Sequence, residues 1–181
     1  MNIAGKPPFN GDFETQTPGR IYSEIQSSEL QYPLNQSSPM KTIEYRIGND
    51  LNLDATIELY RASTLGERRP IANRPVMEAM IRNADLIVTA WDGELMVGIA
   101  RTVTDFAYSA YLSDLAVHAD YQRQGIGKTL IDKTIDELDP TCFLTLLAAP
   151  GANDYYGRIG FEYHPRALVT GPKVDPKQVQ A

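Results

Sequence analysis

The chain has little of the chemistry on which several protein classes depend. It contains one cysteine, Cys142, and two histidines, His118 and His164, among 181 residues. A single cysteine forms no intramolecular disulfide and argues against a Cys-based zinc site, and two histidines exclude a His-rich metal site. We therefore expect a protein without a metal cofactor.

Long apolar runs and basic runs are also missing. The longest apolar stretch, residues 143–149, is interrupted by Thr145 and is far shorter than the roughly 18 residues that span a bilayer. The N-terminus has no basic run followed by an apolar core, so no secretory signal is expected. With a net charge of −6 the chain shows no basic stripe of the kind that binds nucleic acid. We expect a cytoplasmic protein whose partners include neither membrane nor nucleic acid.

Proline, serine and glutamine are concentrated in residues 1–40, which carry no helical or strand period. This composition predicts an irregular N-terminal arm. The aromatic residues of the arm could anchor it to the domain or to a neighbouring subunit, which leaves a homodimer open. We expect one domain over residues 41–172, a length that suits a single core, followed by a polar tail over residues 173–181.

Beyond the arm, strand and helix patterns are mixed along the chain. Six segments have the composition and alternation of strands: residues 42–47, 86–91, 95–104, 110–117, 141–147 and 161–168. Four segments have the apolar face or the end residues of helices: residues 54–64, 75–83, 125–138 and 153–159. Asp92-Gly93 predicts a hairpin between two of the strands. The order predicts an α/β (α+β) fold, a mixed sheet with helices on both faces.

The most informative segment joins the strand at 110–117 to the helix that begins near Gly125. A polar loop with two glycines, Gly125 and Gly127, precedes the helix directly. The first turn of a helix has free backbone N–H groups and a positive dipole end, and glycine lets an anion approach them closely. The segment therefore predicts a phosphate-binding site.

Two common phosphate-binding motifs do not fit this loop. Residues 127–129, Gly-Lys-Thr, resemble the end of a P-loop, but Gln122 stands where that motif has its first glycine. The dinucleotide fingerprint needs a third glycine at the position of Leu130. The sequence therefore disfavours a nucleoside triphosphatase and a Rossmann-type dinucleotide site.

A third pattern, Gln/Arg-x-x-Gly-x-Gly/Ala, does match residues 122–127, which read QRQGIG. In this form the loop resembles the acyl-CoA pyrophosphate loop of the GCN5-related N-acetyltransferase (GNAT) superfamily. Residues 115–117, LAV, are similar to the family's pantetheine-binding strand segment. Residues 156–161, YGRIGF, resemble its late Tyr-x-x-x-Gly-Phe element. The resemblance covers residues 41–170 and leaves out the arm.

The resemblance implies a GNAT fold, in which a mostly antiparallel sheet splays apart between two parallel central strands, here 110–117 and 141–147. The opening would hold acetyl-CoA as co-substrate, with pantetheine bound like an additional strand and the pyrophosphate on the glycine loop. Arg123 and Lys128 are equally consistent with solvated loop residues. The residues implied in cofactor binding are Leu115, Ala116, Val117, Gln122, Arg123, Gln124, Gly125, Ile126, Gly127, Lys128 and Thr129.

The implied activity is direct transfer of an acetyl group to a primary amine of a small molecule or peptide, through a tetrahedral intermediate. Tyr156 lies where the family often places the acid that protonates the leaving thiolate. Its alternative role is packing, and a shift of one residue would exchange it with Tyr155. Family members read the acceptor with loops that map here to residues 64–75 and 105–109. The alternative to an enzyme is a non-catalytic acyl-CoA-binding sensor or partner-binding module.

The strand at 110–117 offers few groups that could deprotonate the amine. Asp114 is its only titratable residue apart from Tyr111, and it fits a structural carboxylate better than a base. Alternation predicts Leu112, Asp114 and Ala116 on one face, unless a β-bulge changes the facing. We expect the amine proton to leave through water.

Overall fold

The structure is a computed structural model that describes residues 42–171, so the predicted arm at 1–40 and tail at 173–181 lie outside the described residues. The strands in this range are β1 (Glu44–Ile47), β2 (Leu86–Asp92), β3 (Leu95–Thr104), β4 (Ser109–Val117) and β5 (Phe143–Leu146). The helices are α1 (Leu53–Ala62), α2 (Arg74–Arg82), α3 (Ile126–Asp136) and α4 (Asn153–Arg158). Short 3₁₀ turns occupy Leu65–Arg68 and Ala119–Tyr121.

The first two helices begin where asparagine side chains cap them. Asn52 accepts a hydrogen bond from the N–H of Ala55 at 3.0 Å, and Asn73 accepts one from the N–H of Val76 at 3.3 Å. Pro75 lies in the first turn of α2, where its missing N–H costs no helical hydrogen bond. The predicted helix starts are therefore confirmed to within a residue or two.

The five strands form one sheet in the order β1-β2-β3-β4-β5. Pairing is antiparallel from β1 to β4 and parallel between β4 and β5. A two-residue turn joins β2 to β3, with Gly93 at a φ of +60°, as a tight hairpin requires. The predicted hairpin and mixed sheet are both confirmed.

Helices cover both faces of the sheet, as predicted. Ile87 and Ile99 point to the face covered by α1 and α2, while Val88 and Ala100 point to the face covered by α3. All four side chains are almost fully buried. Helix α3 lies close to the sheet because Gly98 has no side chain: a Cβ there would lie 2.9 Å from Cδ1 of Leu130.

A β-bulge changes the facing of β4, and the strict alternation expected for this strand is wrong. Arg101 of β3 pairs with Asp114 and Thr102 with Leu112, so Ser113 is the extra residue. Leu112 consequently packs on the α3 face with Leu115 and Val117, whereas Ala116 packs on the α1 and α2 face. The bulge alternative is confirmed.

The last expected strand, at residues 161–168, does not form. The chain beyond α4 is irregular through residue 171, with turns at 159–160 and 165–166. Pro165 has no N–H for a sheet ladder, and the alternating apolar residues find no cover, since Tyr163 is 89% and Leu168 is 96% exposed. Apolar alternation here reflects local composition without a partner strand.

Candidate active site

The sheet opens between β4 and β5. The two strands pair from Ser109 with Phe143 to Leu112 with Leu146, where the pairing stops. β4 continues to Val117, and over residues 114–117 its pairing in the described chain is with β3. The second edge of residues 113–117 therefore borders an opening, which we call the cleft. The splayed pair of parallel strands was predicted at this place.

Main-chain groups of two predicted residues face the cleft. The N–H of His118, just after β4, donates to the carbonyl of Val97 on β3 at 2.9 Å. Because backbone groups point to alternate edges along a strand, Ala116 also faces β3, and Leu115 and Val117 face the opposite edge. That edge offers the donor and acceptor pattern of an unpaired strand.

Side chains hold the carbonyls at the two ends of this edge. Arg69 donates through Nη2 to the carbonyl of Ser113 at 2.7 Å. Gln122 donates through Nε2 to the carbonyl of Val117 at 3.1 Å. Gln122 thereby fixes the loop after β4 to the strand, and the backbone of Leu115 lies between the two held carbonyls.

The glycine loop ends at an uncapped helix. Gly125 is the N-cap residue of α3 with a φ of +84°, in the left-handed region that favours glycine. Its position supplies no side-chain cap, so the N–H groups of the first turn are directed at whatever lies before the helix. Arg123 also has a positive φ, +61°. This geometry suits an anion at the start of α3.

Several side chains in the predicted loop already have protein partners. Lys128 donates to Asp132 at 2.6 Å in an exposed ion pair, and Gln124 donates to the carbonyl of Asp120 at 3.2 Å. Thr129 donates through its hydroxyl to the carbonyl of Gly125 at 3.3 Å. In this arrangement these residues shape the loop through their side chains, and their contact with a ligand stays a prediction.

The remaining predicted residues divide into buried and exposed ones. Ile126 and Ala116 are each 3% exposed and belong to the core on opposite faces of the sheet. Arg123 is exposed. Gly127 faces Tyr155, because a Cβ at Gly127 would lie 3.0 Å from the Tyr155 hydroxyl. The loop therefore presents mainly backbone groups, and few side chains, at the start of α3.

Tyr156 lies on α4, at the same side of the sheet as the cleft residues Leu115 and Val117. Its ring packs edge-to-face against Tyr155 at 5.2 Å and against Phe161 at 5.6 Å between ring centroids. Burial raises the pKa of the Tyr156 phenol, Tyr155 adds to the rise, and the positive charge of Arg68 partly opposes it. The phenol therefore keeps its proton at neutral pH.

The neighbouring Tyr155 has a different position. Its hydroxyl lies against the first turn of α3 at Gly127, beside the Lys128–Asp132 pair. Burial raises the pKa of Tyr155, as does the charge of Asp132, and Lys128 lowers it. The two tyrosines therefore face different parts of the molecule. Tyr155 lies against the glycine loop. Tyr156 is close enough to the α1–α2 loop, residues 63–73, for the charge of Arg68 to affect its pKa.

Asp114 is the centre of a buried polar cluster that the sequence did not reveal in full. Its side chain is completely buried and accepts hydrogen bonds from Tyr60 at 2.9 Å and from Arg69 and Arg101 at 2.5 Å each. Arg101 also donates to the Ser113 hydroxyl at 2.6 Å. With three donors on one carboxylate, Asp114 is a structural carboxylate and is not placed to take a proton from an amine.

Part of this cluster left a trace in the sequence. Asp114 and Arg101 are charged residues inside otherwise apolar strands, and a buried charge needs a partner of opposite sign. Pairing of β3 with β4 then makes the two neighbours. Tyr60 and Arg69 come from α1 and from the α1–α2 loop, 54 and 45 residues away along the chain, and no local pattern indicates them.

Two absences are findings for residues 42–171. No group of three His, Cys, Asp or Glu side chains in this range could hold a metal ion. The helices of the same range are too short and too polar to cross a membrane.

Comparison with known proteins decides the family. The family model described as an acetyltransferase (GNAT) domain matches residues 64–169, more than half of the chain. The chain belongs to the GNAT family. This GNAT protein is 33% identical over 179 residues to GCN5-related N-acetyltransferase 2, chloroplastic, from Arabidopsis thaliana, a match that covers 84% of the chain and 69% of the relative. The chain spans about two thirds of the length of the first relatives it matches.

Solved structures show the same fold for this GNAT protein. A GNAT family acetyltransferase from Streptococcus pneumoniae superposes with a TM-score of 0.62 at 24% identity, over 74% of this chain and all of that one. An aminoglycoside acetyltransferase from an uncultured soil metagenomic sample, in complex with sisomicin, has a TM-score of 0.55 at 19% identity and covers 74% and 97%. The predicted family, fold class and acyltransferase activity are confirmed.

Proposed function

We propose that the protein is an acetyl-CoA-dependent N-acetyltransferase that transfers the acetyl group directly to a primary amine. The observation that carries the proposal is the adjacency of two backbone features. The unpaired edge at Leu115 and Val117 leads, through the loop held by Gln122, straight into the uncapped N-terminus of α3. A ligand with amide groups at one end and a diphosphate at the other fits this order of donors and acceptors.

The residues present fit acetyl-CoA as follows. The backbone of Leu115 and Val117 would pair with the amides of the pantetheine arm, as a neighbouring strand does. The N–H groups of residues 125–128 would receive the diphosphate, because helix N-termini favour negative charge. Arg123, exposed beside them, would add a positive charge. Bound in this way, acetyl-CoA supplies an activated acyl group at the cleft.

Tyr156 is the proposed general acid. When the amine nitrogen forms its bond to the acetyl carbon, the carbon–sulfur bond breaks and the thiolate needs a proton. A phenol whose pKa is raised by burial is protonated and ready to donate at neutral pH. The N–H of Val117, which faces the cleft, would polarise the acetyl carbonyl. The amine loses its own proton to water.

The acceptor is proposed to enter beside the α1–α2 loop. The positive charge of Arg68 in this loop lowers the pKa of Tyr156, which supports placing the acceptor loop near the proposed acid. The other predicted acceptor loop, 105–109, is closed on itself: Asp105 accepts from the N–H groups of Ala107 and Ser109 and its pKa is lowered by these bonds. Acceptor recognition is therefore assigned to residues 63–73, for a small-molecule or peptide amine.

Calorimetric titration with acetyl-CoA tests the cofactor site, and the chain offers a matched pair of variants. Gly125 and Gly93 both have positive φ, and a Cβ on either would meet no atom within 4 Å. Valine at either position costs a similar strain, about 1–2 kcal/mol. We expect Gly125→Val to raise the dissociation constant about tenfold or more, because an anion loses its approach to the backbone. Gly93→Val, in the distant hairpin, serves as control. Equal affinity of both variants would contradict the site.

The buried state of Asp114 favours one alternative, a non-catalytic acyl-CoA sensor, because it removes the only carboxylate of β4 as a base. A panel of primary amines, assayed by release of free thiol from acetyl-CoA, separates the two functions. Transfer above background supports the enzyme; tight cofactor binding without transfer to any amine supports the sensor. A homodimer and a cytoplasmic location stay predictions, and the chloroplastic Arabidopsis relative makes a plastid the location to test beside it.

A further inference from the structure

Arg69 links two parts of the site that are far apart in sequence. It lies in the α1–α2 loop, and its guanidinium reaches the bulge of β4. Nε donates to Asp114 at 2.5 Å and Nη2 donates to the carbonyl of Ser113 at 2.7 Å. The side chain is 26% exposed, so it can be changed with less disturbance than the buried Arg101.

The carbonyl of Ser113 lies where the pairing of β4 with β5 ends. Carbonyls on one edge of β4 serve the ladder to β5, as the bond from the Phe143 N–H to the Tyr108 carbonyl shows. The last paired residue is Leu112. The Ser113 carbonyl comes next, and the Arg69 guanidinium binds it in place of an N–H from the chain after β5. The ladder therefore ends, and the cleft begins, where Arg69 binds.

Charge balance shows that Arg69 does more than neutralise Asp114. The cluster holds one carboxylate and two guanidinium groups, so its formal charge is +1. Without Arg69 the carboxylate keeps Arg101 and the Tyr60 hydroxyl as partners and the cluster becomes neutral. Burial of Asp114 thus does not require Arg69, whereas the Ser113 carbonyl has no second side-chain donor among the contacts of the described chain.

We propose that Arg69 is a positioning residue that holds the cleft between β4 and β5 open and ties it to the acceptor loop. Its planar fork binds a carboxylate and a main-chain carbonyl at once, which a lysine ammonium does not reproduce. The identity of the ligand in this inference rests on the proposed function. The role of Arg69 in keeping the cleft open rests on the geometry alone.

Three variants test this role by titration with acetyl-CoA. We expect Arg69→Gln and Arg69→Lys to raise the dissociation constant about tenfold or more, because both lose the fork. Arg74→Gln removes an exposed ion pair with Asp54 and serves as control. Thermal unfolding is measured on the same samples. Weakened binding by Arg69→Lys with an unchanged melting temperature supports positioning; full binding by Arg69→Lys overturns it.

Hydrogen exchange on the ligand-free protein gives a second readout that does not depend on acetyl-CoA. When Arg69→Gln frees the Ser113 carbonyl, the ladder can extend, and we expect the amides of residues 147–149 to exchange about threefold or more slowly. Unchanged exchange there overturns the inference. If the wild-type protein binds no acetyl-CoA, the proposed function fails, and the exchange result alone decides the role of Arg69.

Discussion

Two regions of the described chain, residues 42–138 and residues 139–171, are built differently. Every buried apolar side chain lies in the first region, which ends at Leu138, and α4 in the second contains no buried residue. The first region carries β1 to β4, the bulge and the glycine loop, whereas β5 belongs to the second. The second carries Tyr156, the proposed acid. The comparison teaches that the strand edge and glycine loop of the proposed binding site belong to a packed core, while the phenol proposed as the acid lies on a lightly packed segment.

The largest expected effect is a loss of kcat in the second region without a matching loss of stability. Tyr156→Phe removes the proton donor and should lower kcat about 100-fold or more. The free energy of unfolding should change little, because the ring and its contacts with Tyr155 and Phe161 remain. Steady-state kinetics with acetyl-CoA and a competent amine, together with chemical denaturation, measure both quantities.

Tyr155→Phe is the matched control for this experiment. It removes an identical hydroxyl one residue away, at the first turn of α3. We expect kcat to stay near the wild-type value. A large loss of kcat in Tyr155→Phe, with Tyr156→Phe unaffected, would move the acid to Tyr155 and break the assignment.

A second pair of variants compares the packing of the two regions. Leu130 on α3 is fully buried, and Leu130→Ala should reduce the free energy of unfolding by about 3 kcal/mol through lost burial and a cavity. Phe161 is only half-buried, and Phe161→Ala should cost about 1 kcal/mol, mostly its aromatic contact with Tyr156. Urea denaturation followed by circular dichroism gives both values. Equal losses would show that the second region is packed like the first.

The last comparison concerns the buried cluster of the first region. Tyr60→Phe removes a hydrogen bond to the Asp114 carboxylate and should cost about 2 kcal/mol at pH 7. Burial raises the pKa of Tyr60 strongly, and the Asp114 charge adds to the rise. Above the ordinary tyrosine pKa of about 10, the unfolded chain therefore releases this proton and the folded chain keeps it, so stability falls as pH rises.

The pH dependence distinguishes this titration from a simple lost contact. Tyr60→Phe should lose stability less steeply than the wild-type protein above pH 10, because phenylalanine has no proton to release. Denaturation series between about pH 7 and pH 11 measure the two slopes. Parallel slopes would show that Tyr60 already ionises normally in the folded state.

Sequence patterns predicted the parts of this molecule that depend on neighbours along the chain. β3 was placed at residues 95–104, its observed bounds, because the Asp92-Gly93 turn marks where the chain returns as a second strand. The glycine loop was predicted as an anion site because close approach to a helix N-terminus favours glycine at fixed positions. The bulge in β4 was left open, because one extra residue changes which face the following side chains take without leaving a mark in the strand's overall composition.

Features that depend on distant partners were beyond such patterns. The apolar alternation of residues 161–168 predicted a strand, but a strand requires a second one to pair with, and Pro165 weakens the ladder. Arg69 belongs to a charged stretch, Glu67-Arg68-Arg69, in which nothing in the local sequence indicates a buried partner. The fold brings Arg69 to Asp114. Its second hydrogen bond, to the Ser113 carbonyl, lies where β4 and β5 separate.

Gly98 gives this architecture a fixed dimension. Its missing side chain allows Leu130 and Ile126 to rest on the sheet, where an added methyl carbon would lie 2.9 and 3.2 Å from them. The height of α3 above β3 therefore depends on one hydrogen atom. Since the same helix begins directly after Gly125, that height also sets the distance from the start of α3 to the strand edge at Leu115. Gly98 thus acts as a spacer that sets the distance between the two backbone features of the proposed cofactor site.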